Sequence, residues 1–264
     1  MLTDPQLQQI MPNLAQAKRA LYLPALNQAM AACGVNTLLR TAAFAAQLAH
    51  ESGEFRWMEE IWGPTTAQLG YEPPAAKAAR LGNTQPGDGK RFKGRGPIQI
   101  TGRFNYKRYG DLLQVDLTAN PAQAAAPEVA FLTAGLFWKT NGLNELADAE
   151  QFVTITRRIN GGENGLADRQ KYYERAKAVL QATGFVADVA VRGAKPGTIV
   201  IPEGLEPLPR GAEGKARSTP TAVAKKVPAK KIAAKKAAAG KVAAGKAEAE
   251  KAVAKKAAAR TKPA

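Results

Sequence analysis

The chain of 264 residues contains one cysteine and one histidine. Cys33 alone excludes an internal disulfide framework and a thiolate metal cluster. Its surroundings, AMAACG, are apolar and of helical character, which predicts a small buried hydrophobe. His50 alone excludes a zinc site built from several histidines. The start MLTDPQLQQI has neither a basic region nor an apolar core of the kind that marks a cleavable signal. No run reaches the ~18 apolar residues that cross a membrane. A protein that is cytoplasmic as synthesised is therefore expected, and one acting on a cell wall would need a separate release step. Period-2 alternation of apolar and polar residues is scarce, which argues against sheets. Acidic residues are scarce in one place only. From Lys215 to Ala264 there are 15 basic and 2 acidic residues, a net of +13 out of the chain's +16, leaving +3 for everything before it. A nearly neutral globular part is thus followed by a polycation.

Helical signals fill much of the first 184 residues. Thr3, Asp4 and Pro5 read as a helix start, with Leu7, Ile10, Met11 and Leu14 at helical spacing and Pro12 as a break. Leu21 to Cys33 reads as a second helix stopped by Gly34. A third runs from Thr37 to about Glu51, capped by Asn36 and ended by Ser52 and Gly53. Residues 63 to 110, rich in Gly and Pro, read as ordered loop. Helical patterns return over Pro127–Lys139, Ala149–Ile159 and Ala167–Ala182. The fold class is mainly α. Residues 1–184 form the domain, 185–214 (GAKPG, IPEG, PLPRG) have linker composition, and 215–264 form a Lys/Ala-rich tail.

In the tail, lysines recur every five residues from Lys226 to Lys256 in an Ala/Val background without Phe, Trp or Tyr. Such a sequence cannot offset its ordering entropy by burial, so disorder is expected. A five-residue step turns a helix by about 140°, which winds the charge around the rod and forms no membrane-binding stripe. Binding to anionic polymers follows by charge: envelope lipopolysaccharide, wall polymers or nucleic acid. A solvated tail without a role is the plainer alternative.

The candidate chemistry lies between His50 and Asn105. In HESGEFRWMEEIWGP, Glu51 continues the apolar line of Phe44 and Leu48. Desolvation and the helix C-terminal dipole both raise its pKa, as suits a general acid. A frayed helix end with Glu51 in water is the alternative. Glu60, nine residues on and beside Trp62, could face it across one bond. Inverting glycosidases hold such a pair roughly 6.5–9.5 Å apart, and retaining ones about 5–5.5 Å. Glu54 and Glu59 could fill either carboxylate role or neither, and read rather as solvated surface charges. The zinc motif that His50-Glu51 would open needs a second His at position 54, where Glu stands. His50 is expected to make an orienting hydrogen bond beside Glu51. In GKRFKGRGPIQITGRFNY, Gln99, Thr101 and Asn105 are polar handles, and the Thr101 hydroxyl could hold a water. The phosphate-loop pattern GxxxxGK[ST] is absent. INGG and ADRQ form a third polar cluster. Trp57, Trp62, Tyr71 and Tyr106 could stack on sugar rings or fill the core.

AHESGEF, EEIWGP, LGNTQPGDGKRFKGRGPIQITGRFNY and INGGENGLADRQ, in this order and spacing over about residues 4 to 182, resemble glycoside hydrolase family 19, and within it the phage and prophage endolysin branch. The resemblance implies a lysozyme-like α-helical domain that hydrolyses β-1,4 bonds between amino sugars with inversion, without metal or organic cofactor. Glu51 then matches the general acid, Glu60 the base that activates water, and Thr101 the residue that holds this water. Gln99, Asn105, Asn160 and Arg169 match positions that contact substrate or support a carboxylate, and Trp62 and Tyr106 join them as candidate substrate contacts. Plant members carry the second glutamate farther along, in a longer loop. The expected substrate is peptidoglycan, with chitin as the alternative and nucleic-acid binding through the tail as a third, non-enzymatic possibility. A monomer is expected for a hydrolase of this size.

Overall fold

The computed structural model describes residues 1–185 and 205–211. The tail, and the rest of the segment expected as a linker, lie outside the described residues. Among the described residues there is no sheet, only isolated bridges pairing Arg95 with Glu59 and with Ile100. No helix among them is long and apolar enough to cross a membrane.

The chain starts with α1 (Asp4–Ile10), which Thr3 and Gln6 cap reciprocally as a capping box. α2 (Gln16–Ala32) follows and runs through Pro24. It begins five residues before the expected start, where Ala15 gives no side-chain cap to mark it. α3 (Leu38–Ser52) is capped by the hydroxyl of Thr37 rather than by Asn36. It ends at Gly53, whose φ of 58° is the left-handed conformation that a glycine adopts without strain.

Three short helices, α4 (Thr66–Leu69), α5 (Ala76–Arg80) and α6 (Asp88–Arg91), give the Gly/Pro-rich region its order. The Asp88 carboxylate, 2% exposed, accepts from the amides of Thr84 and Gln85 and from Arg103, which ties this region to α7 (Arg103–Leu113). After a 3₁₀ turn come α8 (Pro127–Thr140), α9 (Leu143–Asp148), α10 (Phe152–Asn160) and α11 (Leu166–Ala182).

α3 is buried on every side from Thr41 through Ala49, so it runs through the centre of the domain. Its alanines allow close approach, and α11 packs along it, while α8 packs on α2 and α1 on α11. Phe44 meets Trp138 edge to face at 5.1 Å, locking α3 to α8. Tyr22, Phe55 and Phe131 form a second aromatic knot with centroids 5.0 to 5.8 Å apart. This packing fixes the C-terminal end of α3, where Glu51 sits, against α11.

The segment 205–211 departs from linker behaviour. Leu208 is 1% exposed and joins the hydrophobic core. Its amide donates to Thr140 Oγ1 (3.3 Å) and its carbonyl accepts from Asn141 Nδ2 (3.1 Å). The physical reason is the apolar side chain between two prolines. Pro207 and Pro209 hold the backbone extended, and Leu208 has a core to enter.

Candidate active site

Glu51 lies on the last turn of α3, four residues after Gln47 on the same face. Both meet Arg169 of α11, which is fully buried. Arg169 Nη2 donates to Glu51 Oε1 at 2.6 Å and Nη1 donates to Gln47 Oε1 at 2.5 Å. Its Nε reaches the Asn164 carbonyl at 3.3 Å. Gln47 is itself fixed by donating to Thr156 on α10 (2.8 Å). The other carboxylate oxygen, Glu51 Oε2, accepts from Arg210 Nη1 at 2.7 Å.

The Glu51 side chain is 7% exposed. Burial pushes its pKa up, as the sequence suggests, but the charges and hydrogen bonds of Arg210 and Arg169 outweigh burial and bring it down to about 2. The carboxyl is therefore ionised here, a correction to the expectation of a pKa raised by desolvation and the helix dipole. Sequence reasoning sees the burial but not Arg210, which stands 159 residues away.

Glu60 sits on the loop that leaves α3. Its backbone amide donates to the Gly94 carbonyl (2.8 Å), and its Oε2 accepts from the Gly94 amide (2.9 Å). Oε1 accepts from Gln68 Nε2 (3.3 Å) and from the Tyr71 hydroxyl (3.5 Å). The same strip that holds Glu60 at Gly94 continues to Thr101. Thr101 is 3% exposed, its hydroxyl donates to the Gln99 carbonyl (2.9 Å), and its amide donates to the Arg210 carbonyl (2.8 Å). Arg210 thus links Glu51 to Thr101, and the strip 94–101 links Thr101 to Glu60.

The other expected residues divide. Gln99 adopts φ 58° and is half-buried, with its amide nitrogen on the carbonyls of Gly96 (2.9 Å) and Trp57 (3.2 Å). Asn105 is 2% exposed and donates to the Thr101 carbonyl (2.8 Å), while its Oδ1 is buried without a partner. Asn160, 6% exposed, ends α10 and reaches the Asn164 carbonyl at 3.5 Å. Trp62 is half-buried against Tyr71, with ring centroids 6.3 Å apart. Trp57, 44% exposed, is stacked under Arg56.

Tyr106 requires correction as a surface contact. It is fully buried, packs edge-on against Phe92, and its hydroxyl donates to the Lys93 carbonyl (2.6 Å). Glu54 is no solvated charge either. At 4% exposure it accepts from the Asn13 amide, the Asn13 side chain and the Tyr172 hydroxyl. Glu59 does lie at the surface, paired with Arg95 and Lys93. His50 turns its Nδ1 to Asp168 at 2.7 Å, next to Arg169. No group of three or more His, Cys, Asp or Glu among the described residues is arranged to hold a metal. A cavity of about 380 Å³ between Lys107 and Thr118 lies at the end of α7, lined by none of the candidate residues.

The family model described as chitinase class I, that of glycoside hydrolase family 19, matches residues 26–180. The chain belongs to glycoside hydrolase family 19. It is a glycoside hydrolase of the kind that acts on the O-glycosyl bonds of a polysaccharide. A family 19 domain-containing protein of Haemophilus influenzae is 35% identical over 158 residues, spanning 51% of this chain and 77% of that protein. An Arabidopsis thaliana endochitinase is 42% identical over 123 residues, 46% of this chain and 39% of the plant protein. This chain therefore spans less than half of that plant relative. Among solved structures, chitinase C from Streptomyces griseus superposes with a TM-score of 0.53 at 25% identity, covering 68% of this chain and 92% of that one. The mainly helical, lysozyme-like fold class follows from this family membership.

Proposed function

We propose that this family 19 protein is an endolysin-type enzyme that cleaves β-1,4 bonds in peptidoglycan by an inverting acid–base mechanism. The observation that carries the chemistry is the pair of carboxylates held at the two ends of one linked set of residues. Glu51 sits on a buried helix end, and Glu60 is fastened to the Gly94 amide. Glu51, once protonated, donates to the glycosidic oxygen as positive charge develops on the sugar ring. Glu60 takes a proton from a water on the opposite ring face. Thr101 orients that water. Its hydroxyl hydrogen is committed to the Gln99 carbonyl, so its oxygen serves as the acceptor. Arg169 positions the Glu51 carboxyl, while Gln99, Asn105, Asn160 and Trp62 contact the sugar chain.

Three observations favour peptidoglycan. Glu60 follows Glu51 by only nine positions, the lone cysteine leaves the chain without an internal disulfide, and the net +13 tail suits an anionic envelope. The tail binds lipopolysaccharide phosphates or wall polymers, and the enzyme reaches the wall after release from the cytoplasm. The chitin reading draws on the relatives, one of which is an endochitinase and another a chitinase.

The deciding measurement is product analysis on purified peptidoglycan and on chitin, with the anomeric configuration followed by NMR. Release of inverted reducing ends from peptidoglycan, lost in a folded Glu51→Gln variant, is expected. Turnover retained by that variant refutes the role of Glu51. Cleavage of chitin with peptidoglycan left intact refutes the substrate.

A further inference from the structure

The segment Leu205–Gly211 is seated on the groups assigned above to the reaction. Pro207 and Pro209 keep it extended, and in extended chain every second side chain faces the same way. Leu208 and Arg210 accordingly both turn toward the domain. Leu208 is sunk in the core and clasped by Thr140 and Asn141. Arg210, its side chain 16% exposed, spans the candidate site. Its guanidinium donates to Glu51 Oε2 (2.7 Å) and to the Ile98 carbonyl (3.4 Å), and its carbonyl accepts from the Thr101 amide (2.8 Å).

With Arg169 on Oε1 and Arg210 on Oε2, each oxygen of Glu51 faces a charged N–H. A proton on Oε2 would point at the guanidinium, and a glycosidic oxygen approaching that face would meet the Arg210 side chain. An enzyme that works by proton donation from Glu51 is blocked in this arrangement twice, by position and by protonation state.

We propose that residues 205–211 form an intramolecular strap that lies over Glu51 and Thr101 and holds the enzyme in a resting state, with Arg210 clamping the general acid until the polysaccharide displaces it. The proposal rests on Glu51 being the acid. Arg169 is the permanent positioning partner, anchored to Gln47 and Asn164 inside the domain. Arg210 is the removable one, carried on a short segment anchored by the buried Leu208 and the partly buried Leu205. The strap leads within a few residues into the basic tail, which starts at Lys215.

The test uses full-length protein and two variants that loosen the strap in different ways. Arg210→Gln removes the clamp, and Leu208→Ser removes the anchor without touching Glu51. Each gives up an interaction worth about 10- to 100-fold in the closed-to-open ratio, by the usual size of a charge-assisted hydrogen bond or a buried leucine. A rise of that order in kcat/KM on soluble peptidoglycan fragments is expected, with unchanged far-UV circular dichroism. The second readout is hydrogen exchange at the Thr101 amide, whose acceptor is the Arg210 carbonyl. Exchange is expected to quicken in both variants and on adding a glycan oligosaccharide to the parent protein. A rise in kcat/KM in either folded variant, with faster exchange, supports the strap. Unchanged or lower kcat/KM in both overturns it and makes Arg210 a fixed part of the site. Glu51→Gln separates this proposal from the assignment beneath it. If that variant turns over substrate, the acid is wrong. If it is inactive yet its Thr101 amide still exchanges as slowly as in the parent, Arg210 is not what closes the strap.

Discussion

Replacing Arg169 with methionine tests the ion cluster at the centre of the domain. Arg169 is fully buried, and its loss removes the charged donor from Glu51 Oε1, the donor from Gln47 Oε1 and one donor from the Asn164 carbonyl, leaving Glu51 to Arg210 alone. Removing one partner of a buried ion pair costs about 3–5 kcal/mol, because the remaining charge stays buried. Linkage gives an independent scale. A carboxyl whose pKa falls from 4.5 to about 2 on folding gains about 3 kcal/mol in its charged form, shared between Arg210 and Arg169. The sign follows from the depressed folded pKa. This stabilisation is fully present above about pH 4.5 and is lost as pH falls toward 2. The assay is thermal unfolding followed by circular dichroism at pH 7 and at pH 3. For a domain of this size each kcal/mol moves Tm by about 2–4 °C, so Arg169→Met should lower Tm at pH 7 by about 6–20 °C, and by less at pH 3. Adding Glu51→Gln should return part of the loss, since a neutral amide in the same place needs no cation. A Tm drop below about 2 °C at pH 7, or an equal drop at both pH values, would refute the reasoning.

Three further outcomes follow from particular contacts. Glu54→Ala should destabilise the domain by about 2–4 kcal/mol, read as a lower urea midpoint at constant slope, because two donors from Asn13 and one from Tyr172 lose their acceptor. Gly165→Ala should cost about 1–3 kcal/mol and displace the His50 ring in a crystal structure. A Cβ there would stand 2.3 Å from His50 Cε1, on a residue with φ 72°. The Cys33 thiol, buried and pushed up to about 12, should resist alkylation at pH 8 in native protein and react fully once the protein is unfolded.

Helices with strong local punctuation were legible in the sequence. Thr3 with Asp4 and Pro5, Gly53, and Pro127 at a helix start mark boundaries that the structure keeps. α7 was hidden, because Gly102 caps it without a side chain and glycine-rich sequence precedes it. The candidate site was legible as a set of residue types, since Glu51, Gln99, Thr101, Asn105 and Arg169 fall in short polar motifs. Its electrostatics were not, because both arginines reach Glu51 from more than a hundred residues away. The strap was misread for a compositional reason, since PLPRG looks the same whether it hangs in water or lies on a surface. Leu208, a large apolar residue two positions before an arginine, was the available signal.

The first and last helices among the described residues are fastened together where the Gln6 side chain donates to the Thr183 hydroxyl (2.7 Å). The helical body is therefore complete once Thr183 has left the ribosome, while Arg210, 27 residues on, has yet to emerge. At roughly 5–20 residues per second the delay is on the order of seconds, long compared with the folding of many helical domains. The newborn enzyme would spend that interval with Glu51 held by Arg169 alone, so any restraint imposed by Arg210 has to arrive after the catalytic body has already taken shape.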